Sequence, residues 1–388
     1  MITYFKRYFK YFDYPLFFVY LALCLFGLVM IYSASMGWAV IKYGWEPDVF
    51  FNNQKLNLAI SLPAFFLASI FPYKHYKSKP MMMLMLGVMF TLLVLVHFIG
   101  SGGESGSQSW IYLGFGNIQP SEVAKIVIVL YFAAIFTKKH QAGTINKLNE
   151  SVGPPLLVLL GVFVSVMLET DIGNTLIICF VAVSVIAVSG IKFKYFAKMI
   201  GLVGIVIAFG SLVIYLLKDS LLTERRLGRL EAFFNPFADE LNFGYQIVNG
   251  YIAIGSGGLS GLGLGNSNQK YGYLPEPHTD FIMAIIAEEL GLIGVLVVLL
   301  GLFFLVFKAI SISLTTKDPQ ARMIAAGIAS IIGFQTFVNL GGMLGLIPLT
   351  GVPLPFISYG GTSVILLSVA MGILMNVSMF VKLEKSKP

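Results

Sequence analysis

Charge is scarce in this sequence. Asp, Glu, Lys and Arg make up 12% of 388 residues, roughly half the share carried by a soluble domain. A chain that is 57% hydrophobic cannot cover itself with so few charged groups, which excludes an ordinary soluble fold. Cysteine is scarcer still. Cys24 and Cys179 both lie inside apolar runs, with no Cys-x-x-Cys spacing and no neighbouring histidine, so thiol chemistry and a thiolate metal site are set aside. Both read as small buried hydrophobes. No Gly-Lys-Ser/Thr phosphate loop occurs, and Gly261-Leu262-Gly263-Leu264-Gly265 is not preceded by a strand, so neither nucleotide motif is present. Close backbone packing or a flexible loop accounts for that glycine run. The formal net charge of +7 is scattered in short clusters rather than gathered on one face, which argues against a nucleic-acid partner.

What the sequence has is apolar length. Ten runs approach the extent needed to cross about 30 Å of hydrocarbon: Leu16 to Tyr32, Leu56 to Phe71, Met81 to Ile99, Ile126 to Thr137, Pro154 to Leu168, Thr175 to Ser189, Met199 to Leu217, Phe281 to Phe307, Met323 to Leu340 and Ser363 to Val381. The expected fold is an all-α polytopic membrane protein of about ten transmembrane helices, forming a single integral domain over residues 1–388. The basic and aromatic segment Met1 to Tyr14 has no small-residue cleavage site after the first apolar run, so that helix is read as retained rather than as a signal peptide.

Lysine and arginine set the orientation. Lys6, Arg7 and Lys10 precede the first run, and Lys74, Lys77, Lys79, then Lys138, Lys139, Lys147, then Lys192, Lys194, Lys198, follow the second, fourth and sixth. Lys308, Lys317 and Arg322 follow the eighth, and Lys382, Lys385 and Lys387 the tenth. Both termini are therefore expected in the cytoplasm, with residues 218–280 forming a large extracytoplasmic loop between the seventh and eighth spans.

Four polar constellations stand out. Gln119-Pro120-Ser121-Glu122-Val123-Ala124-Lys125 opens the fourth helix, with proline tolerated at its first turn and Ser121 a candidate cap. Glu122 and Lys125 share one face at i,i+3 and read either as a charge-neutralising pair or as part of a substrate cavity. Arg225, Arg226 and Arg229 fall on a short amphipathic pattern, Arg225 to Phe234, that suits a membrane-surface helix or a pyrophosphate clamp. Trp110, among glycines and serines, is either an interfacial anchor or a platform for a sugar ring. Asp280 ends Lys270-Tyr271-Gly272-Tyr273-Leu274-Pro275-Glu276-Pro277-His278-Thr279-Asp280, where the long loop meets the eighth helix. It reads equally as an N-terminal cap and as a general base. The run Gly351 to Ser363 holds no ionisable group except Tyr359, and its prolines suit a rigid vestibule that positions rather than reacts.

Ile31-Tyr32-Ser33-Ala34-Ser35, the Gln119 to Lys125 motif, Thr170-Asp171-Ile172-Gly173, Leu274 to Phe281, Glu288-Glu289-Leu290-Gly291 and Pro353 to Ser363 occur in an order that resembles the SEDS family (shape, elongation, division and sporulation). These are polytopic peptidoglycan glycosyltransferases that include FtsW and RodA. The resemblance covers nearly the whole chain, and the wording of Tyr271 to Phe281 and of Gly341-Gly342 is most like the FtsW type of Gram-positive bacteria. Two positions depart from the usual pattern. Ser109 stands before Trp110 where many members have a basic residue, and Glu169-Thr170-Asp171 replaces Gln-Pro-Asp.

The resemblance implies polymerisation of lipid II on the outer face of the cytoplasmic membrane, with inversion at the sugar carbon. Undecaprenyl-pyrophosphate-linked glycan would be the donor and the GlcNAc 4-hydroxyl of lipid II the acceptor. Asp280 corresponds to the family's essential aspartate, and Glu122 and Lys125 to its cavity pair. Arg225, Arg226, Arg229 and Lys270 become candidates for neutralising the leaving pyrophosphate. Trp110, His278 and Ser358 complete the expected substrate-binding set. Implied partners are a class B penicillin-binding transpeptidase and the membrane proteins of the divisome or elongasome. No cofactor is implied. Glu104, Glu122, Glu276 and Asp280 could supply oxygen to a divalent cation, although no spacing demands one. The alternative reading is a transporter that flips lipid II, since transporters also use intramembrane charge and interrupted helices.

Overall fold

The computed structural model describes residues 8–101, 109–112, 117–146, 153–198, 231–239 and 244–386, together with 201, 204 and 228. Helices dominate: α1 (Tyr14–Tyr43), α2 (Val49–Ile70), α3 (Lys79–Ile99), α4 (Pro120–Gln141), α5 (Gly153–Leu168), α6 (Ile172–Ala187), α7 (Tyr245–Gly257), α8 (Ile282–Thr315), α9 (Pro319–Met343) and α10 (Thr362–Lys385). One small antiparallel pair, β1 (Ile111–Tyr112) with β2 (Asn117–Ile118), lies between α3 and α4. Among the described residues six helices, α1, α3, α4, α8, α9 and α10, are long and apolar enough to cross a bilayer, and α5 and α6 are shorter apolar helices.

The helices assemble through their apolar faces and through buried polar ties, because hydrocarbon offers no water to satisfy a stray polar group. α10 lies along α2, where the amide of Asn376 donates to the Ser69 carbonyl at 2.7 Å and accepts from the Tyr73 amide at 2.9 Å. Tyr20 on α1 donates to Ser368 on α10 at 2.6 Å. At one end of the bundle Asp13 accepts from Ser378 at 2.8 Å and pairs with Lys382 at 3.1 Å. The opposite end gathers the starts of α4, α6, α8 and α10 with the finish of α9, and it holds the candidate residues.

Several elements differ from the sequence expectation. α2 begins earlier than its apolar run, at Val49, and carries the buried polar Gln54 in its second turn, whereas α4 begins at Pro120, within the motif expected to open it. The expected outer loop contains a helix, α7, whose Ile247 and Ala253 are buried. The seventh expected span, Met199 to Leu217, lies outside the described residues except for 201 and 204.

α8 is interrupted. Gly291 has φ 63° and ψ −161° inside the helix, a conformation open to glycine and costly to residues with a Cβ. The backbone groups released there are recaptured by the glycine-rich loop after α7. Leu262 and Gly263 donate to the carbonyls of Glu288 and Glu289, both at 2.9 Å, and Leu292 donates to Gly258 at 3.0 Å. A Cβ on Gly257 would collide with the Ala287 carbonyl, so the run from Gly255 to Gly265 serves close backbone approach, one of the two readings its composition allows.

Candidate active site

The site is built around the start of α4. Glu122 and Lys125 are each about 1% exposed and pair at 2.7 Å. Lys125 also donates to the side-chain oxygen of Gln335 on α9 at 2.9 Å, and Gln335 donates to the Pro353 carbonyl at 3.1 Å. Proline stands at the first turn of α4, but the cap position falls on Gln119, and the hydroxyl of Ser121 donates to Asp171 at 3.4 Å. Ser121 is thus a cross-link rather than the expected cap.

Asp171 organises this junction. One carboxylate oxygen accepts from the Asn174 amide at 3.0 Å, capping α6, and the other accepts from the side chains of Asn174 at 2.8 Å and Gln119 at 2.9 Å. Burial is the leading influence on its carboxyl and raises the pKa, while the Asn174 hydrogen bonds and Lys125 work against it.

Asp280 lies just before α8, whose cap position is Phe281. It lines a shallow surface depression with Val338, Asn339, Gly342, Leu349, Thr350, Gly351 and Val352. Thr279 donates to its carboxylate at 3.1 Å. Asn339, one turn beyond Gln335 on α9, donates to the Asp280 carbonyl at 2.8 Å and to the Val352 carbonyl at 2.9 Å. One face of α9 therefore holds the 352–353 loop, the Glu122–Lys125 pair and the backbone of Asp280 in one assembly.

His278 and Ser358 are not among the residues that line the depression. The His278 ring is buried against Phe50, with centroids 4.1 Å apart, and its carbonyl accepts from the Tyr359 amide at 2.9 Å. Burial, helped by nearby Lys42, pushes its pKa down to about 3, so it stands neutral. The hydroxyl of Ser358 accepts from the Leu354 amide at 2.8 Å, closing the turn that precedes α10.

Lys270 occupies a different place from the one its charge suggested. It is fully buried and gives its ammonium to Glu289 at 2.8 Å, to the Gly265 carbonyl at 2.6 Å and to Ser33 at 3.3 Å. All three donors are met inside the protein, so a pyrophosphate would have to displace Glu289 to reach it. Ser33 in turn donates to both oxygens of Glu289, at 2.8 and 2.7 Å. The neighbouring Glu288 accepts from Ser267 and from the Asn268 amide. This network locks the glycine-rich loop onto α1 and α8.

Trp110 bridges Ser101, which donates to its carbonyl at 3.0 Å, and one carbon of its ring would lie 4.0 Å from a Cβ placed on Gly361 at the start of α10. Arg225, Arg226 and Arg229 fall outside the described residues, as does Glu104; of the Arg225 to Phe234 pattern, residues 228 and 231–234 are described, and they are helical. Among the described residues no three His, Cys, Asp or Glu side chains cluster as metal ligands.

The whole arrangement matches a known one. The cell cycle protein family that groups FtsW, RodA and SpoVE matches residues 14–383. The chain belongs to this family. The FtsW of Bacillus subtilis, a probable peptidoglycan glycosyltransferase, is 45% identical over 98% of this chain and 94% of its own length. Stage V sporulation protein E of the same organism is 37% identical over 93% of this chain and 95% of its own. Among solved structures, a chain of a peptidoglycan synthase complex that coordinates polymerization and crosslinking superposes with a TM-score of 0.73, at 26% identity, covering 95% of this chain and 97% of that one. The rod shape determining protein RodA of Thermus thermophilus gives 0.67 at 25% identity, with coverage of 95% and 96%.

Within this FtsW/RodA framework the structure adds residues that the sequence reading passed over. Gln335, Asn339 and Gly342 fall at i, i+4 and i+7 of an otherwise apolar helix, and that spacing of polar and small residues on one face was the available signal. Glu169, one of the departures from the family pattern, is 2% exposed and neither carboxyl oxygen has a hydrogen-bond partner among the described residues. Burial first, and the neighbouring Asp171 second, push its pKa up to about 8, so it is mostly protonated at neutral pH.

Proposed function

We propose that this chain is a peptidoglycan glycosyltransferase that polymerises lipid II, with Asp280 as the general base. The observation that carries the reading is the placement of Asp280. It is a half-buried carboxylate in an open depression, with its backbone fixed by Asn339 beside a buried Glu122–Lys125 pair. The identity of nearly half with FtsW over almost the entire chain supports the same activity.

In the proposed step, the acceptor 4-hydroxyl attacks the anomeric carbon of the lipid-linked glycan as Asp280 takes its proton. The bond from that carbon to the pyrophosphate oxygen breaks, and the electron pair leaves with undecaprenyl pyrophosphate. Attack opposite the leaving group inverts the carbon. A positioned base contributes about 10²- to 10⁴-fold to such a step. Arg225, Arg226 and Arg229 are the proposed cations for the departing pyrophosphate, and Trp110 the proposed platform for a sugar face. The lysine and arginine distribution supports an extracytoplasmic site, and an all-helical scaffold lets the isoprenoid tail remain in lipid while its headgroup reacts. The resemblance to a chain of a synthase complex supports pairing with a class B transpeptidase.

The test is a lipid II polymerisation assay on wild type and Asp280→Asn side by side. Glycan from the wild type and none from a variant of unchanged thermal stability is expected. Polymer made by Asp280→Asn would remove Asp280 from the role of base, and headgroup translocation in sealed vesicles without polymer would replace the reading with a flippase.

A further inference from the structure

Asn339, in the lining of the depression, has its amide orientation fixed by two hydrogen bonds. Its Nδ2 donates to two carbonyls, Asp280 at 2.8 Å and Val352 at 2.9 Å. Both amide hydrogens are thereby used, and the flipped amide would set oxygen against oxygen twice. Oδ1 must point away from those carbonyls. The residue is 4% exposed, it lines the same depression as Asp280, and Oδ1 is buried with no hydrogen-bond partner among the described residues. A buried acceptor left unmet is costly, so a wall built this way calls for a donor from a ligand.

The chemistry of that ligand follows from the groups around it. Asp280 and Asn339 both present acceptors, and the direct bond from Asn339 to the Asp280 peptide makes them one rigid unit. Phosphate and carboxylate oxygens are acceptors too and would be repelled, which places the leaving pyrophosphate elsewhere. Two adjacent acceptors fit two adjacent donors, the pattern of vicinal hydroxyls on a pyranose ring. Gly351, which lines the same depression, has no heavy atom beyond its chain neighbours within 4 Å of where a side chain would begin, so that edge is open to an approaching ring.

We propose that Asn339 Oδ1 accepts a hydrogen bond from the C3 hydroxyl of the acceptor sugar while Asp280 engages the neighbouring C4 hydroxyl. The inference rests on the glycosyltransferase reading above and deepens it: the depression is the acceptor-sugar subsite, and Asn339 selects the register in which the C4 oxygen meets the base. A ring bound in another register would leave Oδ1 unmet.

The experiment is a cycle of two enzymes and two acceptors. Wild type and Asn339→Ala, as full chains in lipid nanodiscs with the transpeptidase partner, extend a preformed lipid-linked glycan using either lipid II or lipid II lacking the GlcNAc C3 hydroxyl. The deoxy acceptor is expected to lower kcat/KM about tenfold or more in the wild type and less than about threefold in Asn339→Ala, because the partner of that hydroxyl is gone. A purely structural role for Asn339 would give the same deoxy penalty in both enzymes and would overturn the proposal. So would a wild type indifferent to the C3 hydroxyl, an arm that needs no variant. Should Asn339→Ala fail to fold, Asn339→Ser, which retains one donor for the carbonyls, takes its place. Wild type that leaves native lipid II unpolymerised would instead strike the glycosyltransferase reading.

Discussion

Lys270 and Glu289 form an ion pair at 2.8 Å in which neither side chain has any exposed surface. Breaking a buried pair from one side strands a charge, at a cost of about 3–5 kcal/mol, whereas replacing both partners by apolar groups of similar volume is often nearly neutral. Lys270→Met is therefore expected to lower the thermal midpoint sharply, and Lys270→Met with Glu289→Leu to recover most of the loss. A Lys270→Met protein of normal stability that no longer makes glycan would show instead that the lysine serves the substrate.

The Glu122–Lys125 pair is expected to behave differently. Lys125→Met should destabilise by a similar amount, and the double variant Glu122→Gln/Lys125→Met should regain stability without regaining polymerisation. Return of both would reduce the pair to charge neutralisation. Gln335→Leu, which removes an acceptor from Lys125 and a donor from Pro353, is expected to cost about 1–3 kcal/mol and to slow polymerisation by loosening the 352–353 loop.

Two groups outside the spans give the fold opposite pH slopes. Glu169 titrates near 8 in the folded protein against an ordinary 4.5, so the folded state holds the extra proton between those values. Its contribution is full below pH 4.5 and is lost as pH rises through 8. His278 titrates near 3 against an ordinary 6.5. Its contribution is present above 6.5 and is lost as pH falls toward 3. Glu169→Gln should flatten the alkaline decline in thermal midpoint, and His278→Phe the acid decline. An unchanged slope in either variant would show that the group titrates normally in the fold.

Gly291→Ala tests the interruption of α8. The new Cβ would lie 2.5 Å from the Leu259 carbonyl and the Gly261 amide at φ 63°, a combination of crowding and left-handed backbone worth about 1–3 kcal/mol. The expected result is a lower thermal midpoint with reduced polymerisation, since the first segment of α8 follows directly on Asp280. A variant as stable as wild type would mean that the helix runs on through this position.

Hydropathy made the membrane architecture legible, and it under-reports helix where polar residues lead into an apolar run, as at the start of α2, while the proline-containing motif marked the start of α4. Asp280 could be singled out because a carboxylate at a membrane boundary is conspicuous. Gln335 and Asn339 carry no charge and are flanked by apolar residues, so their importance emerges only when α9 is set against the 352–353 loop. The partner of Lys270 was not legible either. Its charge pointed outward in the sequence reading, while its partner lay 19 residues away on a helix brought alongside by the fold. Contacts of that range leave no local pattern, and the interruption at Gly291 is one glycine among apolar neighbours.

That interruption is sealed by cross-segment pairing, with Leu262, Gly263 and Leu292 all donating to carbonyls on the other segment. A helix broken in this manner is a splice rather than a hinge. The isotope-labelling behaviour of the region should then reverse what its composition suggests: in a glycine-rich stretch, these three amides should exchange deuterium as slowly as helix interior, and the part of α8 adjoining Asp280 should open together with the loop that clasps it.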